Sequence, residues 1–171
     1  MRISLQPLFQ SDKKVLSWNK TLSCDELCQE IPQLKELQAV QTSGQVKQVD
    51  EHLFRVTGKL FTQATYLCSR CLKEFALPLQ AQWNLDYTRN KQVAMKAAEK
   101  DVRLFEGDEL QLDPMVREAL LLAIPYAPVC QEDCKGLCPV CGADQNETGC
   151  ECQDRTIDPR WSKLQQLLEE G

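Results

Sequence analysis

Between Phe54 and Tyr87 apolar and polar residues alternate in two runs. Phe54, Val56, Leu60, Ala64 and Tyr66 fall on even positions, and Phe75, Leu77, Leu79, Ala81, Trp83, Leu85 and Tyr87 on odd ones. A period of two puts each set on one face of a strand, so the pattern predicts an antiparallel, half-buried hairpin. Its turn is Cys68-Ser-Arg-Cys71, which would present both sulfurs together at one end of a sheet, as zinc knuckles do. Ile3 to Leu8 and Leu34 to Val49 read as further strands, with Ser43-Gly44 as a turn. Thr21 to Gln29 reads as a short helix started by Ser23 and stopped before Pro32.

The alternation fails between Thr88 and Asp101, where Lys, Gln, Ala and Glu predominate, so this stretch reads as a connection or an exposed helix. Asp113-Pro114 then places a capping side chain before a proline at the first helical position, predicting a helix from Met115 to Ile124 that Pro125 ends. Leu120, Leu121 and Leu122 make it apolar nearly all round, and the sheet is the simplest cover for it. The same start recurs at Asp158-Pro159, where Trp161, Leu164, Leu167 and Leu168 form the apolar stripe of a C-terminal helix. The predicted class is α+β: an antiparallel sheet packed against a buried helix, with a cysteine-rich zinc-binding loop and a C-terminal helix. Residues 1–126 would form the sheet and buried-helix core, and 127–171 the metal-bound extension.

Ten cysteines in 171 residues add the chemistry. Cys138-Pro-Val-Cys141-Gly142 followed by Cys150-Glu-Cys152 offers four thiolates within fifteen residues, the donor set of a closed tetrahedral zinc site. Gly136, Pro139, Gly142 and Gly149 leave this stretch little apolar core, so a metal would have to stabilise it; structural zinc in peptides contributes roughly 10–16 kcal/mol. Cys68 and Cys71 with Cys130 and Cys134 would make a second site. The alternative partition joins Cys68/Cys71 to Cys138/Cys141 as in a zinc ribbon, and spacing alone leaves both open. The expectation is one or two structural Zn²⁺ ions. Cys24 and Cys28, four apart on a helix face, read as small buried apolar residues.

Charge and the remaining motifs narrow the function. Twenty Lys+Arg against 25 Asp+Glu give a net charge of −5, which does not support bulk attraction to nucleic acid. Arg55, Lys59, Arg70 and Lys73 fall near one knuckle and form a candidate RNA or partner patch. The N-terminus lacks the apolar core of a signal peptide, and the run Ala119 to Ile124 is too short to span a bilayer, so no membrane association and a reducing cytoplasm are expected. His52 reads as a surface residue, the pair Glu106/Asp108 as a turn beside Gly107, and Asn146-Glu-Thr148 as a chance glycosylation pattern. Walker, dinucleotide-binding and His-Glu-x-x-His motifs are absent.

Leu112-Asp-Pro114 leading into Leu120-Leu-Leu-Ala-Ile-Pro125, then Cys130-x-x-Asp-Cys134-Lys-Gly-Leu-Cys138-Pro-x-Cys141-Gly, Cys150-x-Cys152 and Ile157-Asp-Pro-Arg160, together resemble the YceD family, the large ribosomal RNA subunit accumulation proteins. The resemblance covers the hairpin and nearly everything after Asp113. It implies a factor without enzymatic activity that supports synthesis or accumulation of large-subunit (23S) ribosomal RNA. Some members lack the later cysteines, which implies that the metal supports the fold locally. The expected partner is a large-subunit precursor or a ribosomal protein, with rRNA itself disfavoured by the acidic balance. Two other classes compete. One is a redox-regulated zinc chaperone that releases its metal on oxidation; the other is a thiol oxidoreductase using Cys68/Cys71, although a hairpin turn supplies no helix dipole to lower a thiol pKa.

Overall fold

The computed structural model describes residues 1–10, 14–96 and 102–152. Two fifteen-residue strands dominate it, β5 (Leu53–Leu67) and β6 (Glu74–Thr88), paired antiparallel without interruption from Leu53↔Thr88 to Leu67↔Glu74. The sequence-predicted hairpin is therefore present, with Cys68 to Cys71 at its tip. In β5 the even-numbered Phe54, Val56, Leu60, Ala64 and Tyr66 are all buried. The alternation in the sequence is thus the alternation between core and solvent faces.

The chain reaches this hairpin through β1 (Arg2–Ser4), α1 (Gln6–Gln10), β2 (Val15–Leu22), α2 (Glu26–Glu30), β3 (Leu34–Leu37) and β4 (Val40–Gln48). After it come α3 (Lys91–Lys96), β7 (Val102–Leu104), β8 (Glu109–Gln111) and α4 (Asp113–Ala123). The main sheet runs β2-β4-β5-β6-β7, with β3 also on β5, and β1 pairs β8 in a separate ribbon. The β6–β7 pair is parallel, so the sheet is mixed and not wholly antiparallel as expected.

Three local expectations need correction. Ser43-Gly44 is not a turn: both lie within β4, and Gly44 is paired to Trp18 on one side and Gly58 on the other. The glycines are needed for close approach. A Cβ on Gly44 would overlap the Trp18 indole and the Thr57 carbonyl oxygen, and one on Gly58 would overlap the Trp83 indole. Trp18, Gly44, Gly58 and Trp83 thus form one row across four strands, with the two indoles lying over the two glycines. Second, Ile3 to Leu8 is a short strand followed by a helix, because Pro7 stands in the first turn of α1. Third, Thr21 lies in β2 and the helix starts later, at Glu26; the Ser23 hydroxyl donates to Asp25 instead of capping it.

Helix α4 begins at the Asp-Pro pair and packs Val116, Ala119 and Leu120 against Leu60, Ala64 and Leu79 of the sheet. Burying a Val or Leu side chain contributes roughly 1.5–3 kcal/mol, enough to hold an eleven-residue helix in place. The cover is one-sided. Leu121 is partly and Leu122 largely exposed, so the helix is not enclosed all round as its sequence suggested. The C-terminal helix expected from Asp158-Pro159 lies outside the described residues.

Candidate metal centre

The tip of the hairpin and the segment after α4 bring eight sulfurs into two groups. Cys68, Cys71, Cys130 and Cys134 form one, Cys138, Cys141, Cys150 and Cys152 the other, each with its ligand atoms within 4.8 Å of one another. In the first group the Sγ atoms of Cys68 and Cys134 are 3.8 Å apart and those of Cys71 and Cys130 are 3.7 Å apart. Four thiolates at about 2.3 Å from one tetrahedral ion would be about 3.8 Å from each other. The donor set therefore fits a metal ion, and the sulfurs follow the first of the two partitions left open by spacing.

Each group is built on the same knuckle. The Cys68 N–H donates to the Lys73 carbonyl (2.9 Å), the Leu72 N–H to the Cys68 carbonyl (3.0 Å), and the Arg70 N–H to the Cys68 sulfur (3.4 Å). Seventy residues on, the Cys138 N–H donates to Ala143 (2.8 Å), the Gly142 N–H to Cys138 (2.9 Å), and the Val140 N–H to the Cys138 sulfur (3.4 Å). These offsets of five, four and two residues tie the backbone into a loop around the first sulfur of each pair.

The electrostatics match the geometry. Burial raises the Cys68 thiol, but the N–H groups of Cys71, Cys130 and Arg70 outweigh it and bring the pKa down to about 6. The Cys138 thiol is lowered to about 6 by the N–H groups of Cys141 and Val140, with help from the neighbouring Cys150. Burial and the three adjoining sulfurs push Cys130 up to about 12, and Cys141 with burial does the same to Cys152. The protein's own dipoles thus suit one thiolate in each group, and a cation is what would let all four ionise.

The two groups are fastened together. The Arg70 carbonyl accepts from the Leu137 N–H (3.0 Å), and its guanidinium donates to the Cys134 (2.8 Å) and Glu132 (3.2 Å) carbonyls. Lys73 pairs with Asp144 and Glu147, which raises its pKa through those carboxylates. Asn146 accepts from the Lys135 N–H (2.8 Å) and donates to the Cys134 sulfur (3.5 Å), so a residue in the second loop supports the first site. Sequence reasoning missed this role, because Asn-Glu-Thr read as a chance motif and its partners are eleven and twelve residues away.

The patch of Arg55, Lys59, Arg70 and Lys73 is divided. Arg70 and Lys73 are engaged in the cysteine module. Arg55 makes a two-pronged ion pair with Asp86 at 2.8 and 2.9 Å on the outer face of the sheet, and Lys59 stands on that face without a partner among the described residues. Eight residue steps along the strand from Lys59 to Leu67 span about 25 Å, so Arg55 and Lys59 lie well away from the knuckle that holds Arg70 and Lys73. His52 is exposed, its N–H bonded to Asp50. Gly107 and Asp108 form a turn, and Asp108 pairs with Arg89. Cys24 and Cys28 are half-buried against the α4 side of the core, with thiols raised chiefly by burial.

Sheet and site together define a mixed-sheet α+β protein with a pair of four-cysteine knuckle clusters at the tip of its long hairpin. The chain belongs to the family described as large ribosomal RNA subunit accumulation protein YceD, which it matches over residues 56–168. An uncharacterized protein of Mycobacterium tuberculosis is 31% identical over 115 residues, covering 66% of this chain and 55% of that one, so the chain spans about half the length of its mycobacterial relatives. Uncharacterized protein YlbN of Bacillus subtilis is 25% identical over 99% of this chain and 98% of its own. The chloroplastic YCED homolog 1 of Arabidopsis thaliana, named as a large ribosomal RNA subunit accumulation protein, is 31% identical over 65 residues, 38% of this chain and 20% of its own. No solved structure matches. No helix among the described residues is long and apolar enough to cross a membrane.

Proposed function

We propose that this chain is a non-catalytic, cytoplasmic factor in assembly of the large ribosomal subunit, supporting synthesis or accumulation of its 23S RNA, and that zinc occupies both cysteine clusters as a structural ion. The observation that carries the reading is the family match running unbroken from the hairpin through both clusters. The name of the plant relative points the same way.

Zinc is the ion that suits the donors. Four thiolates without histidine or carboxylate select a soft tetrahedral metal, of which zinc is the redox-inert choice for a structural role, and in the group of Cys68 sulfurs 3.7–3.8 Å apart suit a single ion and not a multinuclear cluster. Four thiolates around one divalent ion leave two negative charges, which the N–H donors to the Cys68 and Cys138 sulfurs and the Asn146 amide stabilise. The redox readings have less support. Cys68 and Cys71 are buried, so a substrate disulfide would not reach them.

The test is depletion of the protein, with ribosomal RNA and precursor particles followed on gradients. The reading expects a fall in large- relative to small-subunit RNA and co-sedimentation of the protein with large-subunit precursors. An unchanged ratio, with the protein confined to the top of the gradient, would contradict it.

A further inference from the structure

The outer face of the main sheet differs from the rest of the molecule. Register aligns Asn19, Ser43, Lys59 and Gln82 in one row across β2, β4, β5 and β6, and Thr21, Gln41, Phe61 and Gln80 in the next. Ser17, Gln45, Thr57 and Asn84 form a third row on the other side of Lys59. All are accessible from solvent, and a shallow depression of about 620 Å³ lies over the first two rows. A fourth row, Val15, Lys47, Arg55 and Asp86, holds the only carboxylate among these positions, and Arg55 neutralises it. Three cations less one carboxylate give these sixteen strand positions a charge of +2 on a chain whose total is −5.

We propose that this face binds single-stranded RNA, with Phe61 as the stacking platform and Lys59 and Lys47 as the phosphate contacts. The inference rests on the ribosomal reading for its choice of biological setting and on the face itself for its chemistry. Phe61 is 51% exposed in the middle of a polar surface, which burial does not explain. An isolated ring suits a base, because every base has an aromatic face. Lys59 stands two residues away on the same side of the same strand, about 7 Å along it. The amides and hydroxyls around the ring both donate and accept, as the edges of splayed bases require. A protein partner fits less well, since protein interfaces need a buried apolar centre and are depleted in Lys, and this face offers one ring among amides. The four rows measure about 20 by 15 Å, room for three or four nucleotides. With Lys47 and Lys59 unpaired among the described residues, the affinity should depend weakly on salt, with a log–log slope of about −1.4.

The experiment uses the full, metal-loaded chain and a fluorescent ten-nucleotide single-stranded RNA of mixed sequence, read by anisotropy. Phe61→Ala is expected to weaken binding about tenfold and Phe61→Trp to restore it. Lys59→Gln should weaken it and lower the salt slope by about 0.7. Leu122→Gln, on the opposite layer, should leave it unchanged. Equal affinity in wild type and Phe61→Ala, or binding lost in Leu122→Gln alone, overturns the proposal. So does loss in Phe61→Ala of binding to RNA-free ribosomal proteins while RNA affinity is unaltered, which would assign the face to a protein. Wild-type co-sedimentation with large-subunit precursors is measured separately. Its absence removes the ribosomal setting and leaves an RNA-binding face standing, whereas an RNA-indifferent face leaves the ribosomal reading untouched.

Discussion

Leu72 and Gly142 occupy the same left-handed backbone position, at φ 60° and 74°, four residues after the first sulfur of each knuckle. Each donates its N–H to that cysteine's carbonyl. Glycine adopts this conformation freely, whereas a leucine there is strained by about 1–2 kcal/mol. Leu72 is 59% exposed, so little burial offsets the strain. Leu72→Gly is therefore expected to stabilise the metal-loaded protein by up to about 1 kcal/mol, a rise of a few degrees in thermal midpoint. Gly142→Ala, where a Cβ meets nothing within 4 Å, should destabilise it by a similar amount through the backbone alone. Equal midpoints for all three proteins would show that the two knuckles do not share this constraint.

Gly44 and Gly58 give a second, steric prediction. Alanine at either site would press into an indole, and overpacking of this kind costs about 1–3 kcal/mol. Gly44→Ala should be the worse of the two, since it also meets the Thr57 carbonyl oxygen, which is fixed within the sheet. Chemical denaturation of the two variants checks the order. Trp18→Phe combined with Gly44→Ala should recover part of the loss.

Asn146 allows the link between the clusters to be measured. Removing its amide deletes a donor to the Cys134 sulfur and the acceptor for the Lys135 N–H. Loss of such a supporting contact lowers metal affinity about 10–100-fold. Asn146→Ala is expected to weaken the site of Cys68, Cys71, Cys130 and Cys134 although the residue lies in the loop of the other. Competition with a chelator, resolved by release phases, reads this; a change confined to the site of Cys138, Cys141, Cys150 and Cys152 would refute the coupling.

Proton linkage follows from the thiols. Burial and neighbouring sulfurs hold Cys130 near 12, and Cys71 is raised as well, so both are protonated at pH 7 before metal enters. Cys150 and Cys152 are raised in the same way, the latter to about 12. Binding therefore releases at least two protons per site, and the apparent affinity should rise with pH by at least about a hundredfold per unit near neutrality and fall correspondingly on acidification. Calorimetry in buffers of different ionisation enthalpy counts the protons. Release of fewer than two per ion would contradict the raised thiols of the metal-free clusters.

Much of this was legible in the sequence because it is local. Alternation identifies β5 and β6, and the paired cysteines identify the two sulfur clusters that could hold metal. The partition of sulfurs was not legible, since Cys68 meets Cys130 and Cys134 only through the path of the chain around α4. β2 escaped notice because it is an edge strand with Trp18 as its one buried residue, so its polar positions show no alternation. Ser43-Gly44 resembled a turn because the reason for Gly44, an indole from another strand, is invisible along the chain. Arg55 and Lys59 are close in number to Arg70 and Lys73, but the extended strand β5 holds the two pairs apart.

The most direct test of the account is the metal content of the full chain purified under reducing conditions, repeated with Cys138 and Cys141 changed to serine and with Cys68 and Cys71 changed to serine. Two zinc ions per chain, falling to one in each variant, is the predicted result. No bound metal in the unaltered protein, or one ion shared so that either variant loses all of it, would contradict two independent four-cysteine sites.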